Sequence, residues 1–222
     1  MAESRRYLIA AVLLIAAVAL GYWAYGAKRK SDVGNTAVAL AQQTARHLQE
    51  AFDSDPARPA SETIQAIGEY AAAAGRNLEA LKRLDAAGNR PLVDALDDYL
   101  LTSREILTRQ ASSQRFRRQL SSSTQSLLDH MRMDNRSGAW VREAVDHKER
   151  VEKNYRDYQS AAEALDKLLA SFPASVAKVA TLSRAAPLVD AKLVEEARAR
   201  SNAALKQATG EVEKIRQIAL PR

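Results

Sequence analysis

The chain has 222 residues, 33 Lys and Arg against 27 Asp and Glu, and no cysteine, which gives a formal net charge of +6 and excludes a disulfide framework. Strong helix formers dominate, aromatic residues make up only 5%, and no stretch alternates apolar and polar residues as a half-buried strand does. We therefore predict an all-α protein, with an N-terminal transmembrane helix followed by an elongated antiparallel bundle of about four long helices plus one short one. Its basic surface favours anionic partners.

The N-terminal tail, residues 1–6, precedes an uncharged apolar stretch, Tyr7–Tyr25, that ends in a cluster of aromatic residues. As a helix this stretch reaches about 28 Å, close to the hydrocarbon core of a bilayer at about 30 Å. Aromatic rings also suit the interface between membrane and water. We predict a single-pass signal anchor over residues 7–27, in which the small residues Ala17 and Gly21 would permit helix dimerisation.

A cleaved signal peptide is the alternative interpretation of this segment, with Arg5 and Arg6 before the apolar run and the small residues Ala24 and Gly26 at its end. The bulky aromatic residues at the candidate cleavage site favour an uncleaved anchor. Basic residues on the two sides nearly balance, so the positive-inside bias decides little. We expect an inner-membrane protein of a bacterial-type envelope with a periplasmic helical domain, and a cytoplasmic domain is the alternative.

Beyond the anchor we predict a juxtamembrane hinge over residues 28–35 and a helical bundle domain over residues 36–220. The first helix is expected from Thr36 to Asp53, where two prolines follow. The second begins with Ser61 as N-cap and runs to Ala87. The third and longest spans Pro91–Met133, with a heptad pattern that slips at Phe116 and a polar middle.

The second half of the domain has the most regular heptad spacing. The fourth helix is predicted over Ala139–Ser171, and its 3.5-residue spacing indicates knobs-into-holes packing. Pro173 is expected to break it before a short helical turn, Ser175–Ser183, and the last helix spans Leu188–Leu220. Small residues along these seams bury little apolar area, so we expect the bundle to gain stability from a partner or from a second copy of the chain.

A run of arginines on the third helix is the strongest candidate binding feature. Between positions 104 and 118 it is opposed only by Glu105. Because the guanidinium fork matches carboxylates and phosphates, the run predicts a site for an anionic partner: lipid headgroups, a wall polymer or an acidic protein. The alternative is a solvated face that pairs with Asp157, Glu163 or Glu195 of neighbouring helices. The candidate residues are Arg104, Arg109, Arg115, Arg117 and Arg118.

Other patterns favour structural roles. Ser175 and Lys178 match S-x-x-K, but the companion elements of acyl-serine enzymes are absent. The three histidines, His47, His130 and His147, are expected on solvated faces and without a metal, and pairing across the turn is expected to keep the last two apart. Three polar residues on the seam of the fourth helix are read as core residues whose polar ends reach solvent or a partner: Lys148, Tyr155 and Tyr158.

These observations favour a non-enzymatic, membrane-anchored scaffold or adaptor without cofactor, metal or catalytic residues, which binds a protein or an anionic envelope partner. A sensory ligand-binding bundle that signals through a partner protein is the alternative, with its pocket in the polar middle of the bundle. An enzyme of unknown type is a third hypothesis. Nucleic acid becomes a candidate partner only for a cytoplasmic domain, and a homo-oligomer stays open.

Overall fold

The computed structural model describes residues 31–53, 59–85, 89–133, 137–183 and 188–218. The predicted tail, the anchor at residues 7–27 and the first hinge residues lie outside this part of the chain. Within it, no helix combines the length and the apolar character needed to cross a membrane. The anchor therefore stays a prediction.

Five helices pack against one another, and the described residues contain no strand, which confirms the all-α prediction. The two longest, with 42 and 45 residues, are about 63 and 68 Å long at 1.5 Å per residue. The bundle is therefore elongated along these two helices. In chain order the helices are α1, described over residues 31–52, α2 (Ala60–Lys82), α3 (Arg90–Met131), α4 (Gly138–Leu182) and α5 (Ala191–Arg216).

Helices α3 and α4 form the antiparallel centre of the bundle. Near one end the rings of Tyr99 and Phe172 stack with centroids 5.4 Å apart. At the other end His130 stacks on Trp140 at 5.0 Å, next to the turn that joins the two helices. Residues early in α3 thus face residues late in α4, as expected for the predicted antiparallel bundle.

The core is divided into two clusters along this centre. The first core joins α1, α2, the first half of α3 and the second half of α4 with residues 188–194. The second core contains no residue of α1 or α2 and joins α3, α4 and α5 alone. The groove between α3 and α4 is therefore left uncovered beyond the start of α2. The second core consists of Leu120, Leu127, Val151, Tyr155, Tyr158, Ala162, Ala208, Val212 and Ile215.

The predicted hinge is corrected over residues 31–35, which are helical. Gly34 is buried there, and a Cβ at this position would lie 2.7 Å from Asn89 Nδ2. Glycine therefore allows α1 to approach the start of α3 closely. These residues, predicted as a hinge, are helical because packing of α1 on α3 outweighs the low helix propensity of glycine.

The predicted break at Pro173 is wrong, because α4 continues through this proline to Leu182. Proline removes one backbone hydrogen bond and crowds the preceding turn. Phe172 is fully buried before it and Val179 is buried after it, both in the first core. Burial on both sides of the proline offsets the local cost, so the predicted short helical turn at residues 175–183 is the last part of α4.

Helix boundaries differ from the predictions by a few residues. Helix α2 starts at Ala60 with Pro59 as N-cap and no side-chain cap bond, so the predicted N-cap Ser61 lies inside the first turn. Helix α5 starts at Ala191, because the Asp190 carboxylate accepts a hydrogen bond of 2.9 Å from the Lys192 backbone N–H. This cap fixes the start of the helix more strongly than the preceding apolar residues do.

Candidate anion-binding groove

Four basic side chains line a groove between α3 and α4. Arg115 and Arg118 are three residues apart on α3, and Arg150 and Lys153 are three apart on α4, so each pair shares one helix face. The antiparallel packing of the two helices brings both pairs to a groove of about 760 Å³. The two pairs are at least 32 positions apart in the sequence, and the fold brings them together at this groove.

Neutral polar side chains form the floor of the groove. Asn154 Nδ2 donates a hydrogen bond of 3.3 Å to the Gln119 carbonyl oxygen and so joins α4 to α3. Ser122 and Ser126 follow along α3, and the Ser126 hydroxyl donates to the Ser122 carbonyl at 3.0 Å. Amide and hydroxyl groups of this kind can donate to or accept from a bound chain.

The charge of the groove is strongly positive. Asp157 is the one acidic residue among its described lining residues, against four cations. Within the described part of the chain, no carboxylate lies within 4.0 Å of any of the four. Ser61 and Ile64 of α2 also line the groove, and the first turn of this helix carries the acidic Glu62. A bound anion would thus meet positive side chains from two helices, α3 and α4.

The five predicted arginines do not form one patch. Arg115 and Arg118 line the groove, whereas Arg117 lies on another side of α3 and lines an interior cavity. Arg104 passes beside α2, its Nε 3.6 Å from where a Cβ on Gly75 would stand. All five are exposed, and none forms the expected ion pair with acids of neighbouring helices among the described residues.

Sequence reasoning missed Arg150 and Lys153. Both lie beside the apolar seam of α4, in a stretch where acidic and basic residues alternate, so they do not form a basic run in the sequence. The signal that identifies them is the antiparallel register about the turn between α3 and α4, which places residues near 150 opposite residues near 118. Helix periodicity on α3 alone does not contain that signal.

The prediction that His130 and His147 are kept apart on solvated faces is wrong. His130 is buried at 4% exposure, and its ring centroid lies 5.2 Å from that of His147. His130 Nε2 lies 2.9 Å from the Trp140 carbonyl oxygen, and Trp140 Nε1 donates to the His130 carbonyl at 3.0 Å. These reciprocal bonds join the end of α3 to the start of α4. Across the described residues, no three His, Asp or Glu side chains are placed to hold a metal ion.

The remaining polar seam residues and the S-x-x-K match have structural partners. Lys148 Nζ donates to the carbonyl oxygens of Arg216 and Ile218 at 3.0 and 3.2 Å and so caps the C-terminal end of α5. The Tyr155 hydroxyl lies 2.9 Å from Thr209 Oγ1. Lys178 Nζ forms a 2.6 Å ion pair with Asp98 of α3, which gives this lysine a structural partner.

Two ion-pair groups hold α5 on α4. Arg198 donates two hydrogen bonds to Asp166, at 2.7 and 3.2 Å, and Asn202 donates a third at 2.8 Å. The bonds from Arg198, and then from Asn202, lower the pKa of the Asp166 carboxyl. At the other end Arg216 donates to Glu152 and lowers its pKa in the same way. Arg198 and Arg216 of α5 are therefore neutralised, unlike the four cations in the groove.

An interior cavity of about 380 Å³ lies at the level where the two cores divide. It is partly open to solvent, because two of its lining residues, Arg117 and Arg200, are exposed. On α3 the first core ends at Ala111 and the second begins at Leu120, which spans the predicted register slip at Phe116. On α5 the facing positions are small, including Ser201 and Ala204. Small residues opposite a break in the heptad leave this space open.

The chain matches no family model, no curated protein and no solved structure. No relative therefore assigns a role to the groove or to the cavity.

Proposed function

We propose that the chain is a non-enzymatic scaffold or adaptor of the bacterial cell envelope, anchored by a single membrane-spanning helix at residues 7–27. Its bundle holds an acidic segment of a partner protein in the groove between α3 and α4. One observation carries the proposal: four cations from two helices converge on this groove with no carboxylate within ion-pair distance among the described residues.

The shape of the groove favours a narrow acidic chain over a flat bilayer. A bilayer surface meets exposed cations on a convex face, whereas this groove is concave and has a floor of hydroxyl and amide groups. Such a floor can hydrogen-bond the backbone of an extended peptide while Arg115, Arg118, Arg150 and Lys153 meet its carboxylates. Anionic lipid and anionic wall polymer are the competing outcomes of the test.

The test compares binding of a fluorescent acidic peptide, ten glutamates long, to the full chain and to its Arg115→Glu/Arg118→Glu variant, by fluorescence anisotropy. We expect the variant to bind at least tenfold more weakly, because two attractive charges become repulsive. Binding should also weaken as salt rises from about 50 mM to about 150 mM, since these charges are exposed to screening.

The matched control is Arg104→Glu/Arg109→Glu, which has the same net charge and reverses two arginines outside the groove. Equal loss in both variants would show a general charge effect and contradict the groove site. Tight binding to vesicles of anionic phospholipid, with no binding to the peptide, would assign the groove to lipid.

A sensory ligand-binding module that signals through a partner protein is the second candidate function. The observation that favours it is the interior cavity, which lies in the predicted polar middle of the bundle and has both apolar and cationic lining residues. The two candidates use different surfaces, so each can be tested without the other.

A further inference from the structure

We propose that the interior cavity binds a small organic acid that has an aromatic or branched aliphatic body and a hydrogen-bond donor near its carboxylate. An amino acid or hydroxy acid of about one ring has this chemistry. The inference rests on the sensory candidate function and names its class of ligand. The cavity, at about 380 Å³, falls in the size range of small-molecule sites, about 300–1,000 Å³.

The charge of the lining points to a carboxylate. Arg117 from α3 and Arg200 from α5 both line the cavity, and its described lining residues include no Asp or Glu. Arg200 Nη2 donates a 2.7 Å hydrogen bond to the Phe52 carbonyl oxygen, which fixes the guanidinium at the cavity. Its other N–H groups are left for a bound acid, in the fork geometry that suits carboxylates.

The requirement for a donor comes from Gln110. Its Nε2 donates to the Ala51 carbonyl oxygen at 2.9 Å, which fixes the orientation of the amide because the opposite orientation would set two oxygens against each other. The Oε1 atom is buried and has no hydrogen-bond partner among the described residues. A buried acceptor of this kind costs free energy until a donor reaches it. An amino or hydroxyl group on the ligand supplies that donor.

The body of the ligand is defined by the apolar wall. Phe52, Leu165 and Leu169 line the cavity together with Tyr158, which is only 2% exposed. Their rings and branched chains provide apolar area for an aromatic or branched side chain of the ligand. The wall draws on α1 and α4 and the charges on α3 and α5, so a bound ligand would tie four helices together.

The test measures thermal unfolding of the full chain in detergent micelles by circular dichroism, with L-phenylalanine, L-3-phenyllactate, 3-phenylpropionate and phenethylamine as probes. We expect the first two to raise Tm by about 3–6 °C at ten times their Kd. Phenylpropionate, which lacks the donor, should raise it less, and phenethylamine, which lacks the carboxylate, should leave it unchanged.

Variants assign any response to the cavity. Arg117→Gln should weaken binding of the acids by roughly tenfold to a hundredfold, since it removes a charged partner, while Arg109→Gln, outside the cavity, should not. Gln110→Met should abolish the difference between phenyllactate and phenylpropionate. Ser201→Leu, which fills the cavity, should remove the response while the variant stays folded.

The outcomes separate the ligand class from the sensory function. Stabilisation by phenethylamine equal to that by the acids would overturn the proposed class and leave a cavity that binds apolar molecules. No response to any of the four probes would overturn the inference and count against the sensory candidate as well. A response that survives Ser201→Leu would place binding elsewhere and overturn the inference.

Discussion

Asn77 shows how one buried polar residue fixes the packing of α1 on α2. Its side chain is 7% exposed, and Nδ2 donates to Thr44 Oγ1 at 3.0 Å, where Thr44 is fully buried. Asn77→Ala removes this donor, so the buried Thr44 hydroxyl loses the hydrogen bond that it accepts from Asn77. We expect a loss of about 1–3 kcal/mol in the free energy of unfolding, measured by urea denaturation.

The control for this prediction is the double variant Thr44→Val/Asn77→Leu, which replaces both polar partners by apolar groups of similar shape. We expect it to be nearly as stable as the parent, because no buried polar group is then left without a partner. If the double variant loses as much as Asn77→Ala, packing volume rather than the hydrogen bond sets the cost.

The carboxylates that hold α5 should make the stability of the bundle depend on acid. The pKa values of Asp166 and Glu152 are lowered in the folded state by bonds from Arg198 and Arg216. Their contribution is therefore present above the unfolded values, about 3.9 and 4.3, and is lost as pH falls below them towards the folded values. We expect Asp166→Asn/Glu152→Gln to lower Tm at pH 7, and this difference from the parent should shrink towards pH 3.

Measuring the difference between variant and parent at each pH isolates these two carboxylates. His47 stacks on Tyr70, and its pKa is lowered, chiefly by burial. Its own contribution is lost as pH falls through its usual value of about 6.5, but it is common to both proteins and cancels. A difference in Tm that is constant from pH 7 to pH 3 would contradict the role of the two ion-pair groups.

At the scale of elements, α4 contains an interior proline, Pro173. The packing of the helix tolerates this proline, but we do not expect the proline to contribute to the stability of the protein. An interior proline costs about 3 kcal/mol in a helix, partly offset by about 0.4–1 kcal/mol because proline also restricts the unfolded chain. We therefore expect Pro173→Ala to raise the free energy of unfolding by about 2 kcal/mol in urea denaturation. The neighbouring substitution Phe172→Ala leaves a cavity in the first core and should lower the free energy of unfolding by about 3–5 kcal/mol. A Pro173→Ala variant that destabilises the chain would show that the proline itself is required.

The seam of α4 shows what a sequence pattern can predict about these elements. The apolar residues that the heptad spacing places at the seam are buried, from Ala144 to Phe172, because one helix face must meet the core wherever its partners lie. The pattern wrongly predicts a break at Pro173, because the local cost of this proline is offset by contacts that come from distant parts of the chain. The same limit applies to the contact between His130 and His147, which depends on how the end of α3 meets the start of α4.

The candidate sites were less predictable than the helices because each is assembled across helices. The arginines of α3 were visible as a run, but which of them face the groove depends on α4. The cavity needs the end of α1, the middle of α5 and the register slip in α3 at one level of the bundle, and none of these is informative alone. Only the polar middle of α3 indicated that this level is poorly provided with core residues.

At the scale of the whole molecule, the bundle has unequal ends. The first core joins all five helices, whereas the second core joins three, so the end with the turn between α3 and α4 has fewer helices around it. The groove and the cavity both lie near the boundary between these two parts. A partner held in the groove would therefore add contacts to α3 and α4 beyond the start of α2, which lines the groove only through Ser61 and Ile64.

The position of this bundle relative to the membrane is the prediction on which the choice of partner depends. The uncharged stretch Tyr7–Tyr25 is long enough to span a bilayer, and the basic residues on its two sides nearly balance. We expect a reporter active only outside the cytoplasm, fused after Arg222, to be active in a bacterial host, with the full-length band in the membrane fraction. Activity of a reporter that works only inside would place the groove in the cytoplasm, where nucleic acid and cytosolic proteins become its candidate partners. External activity with a shortened band in the soluble fraction would show cleavage, and the bundle would then meet its acidic partner as a free periplasmic protein.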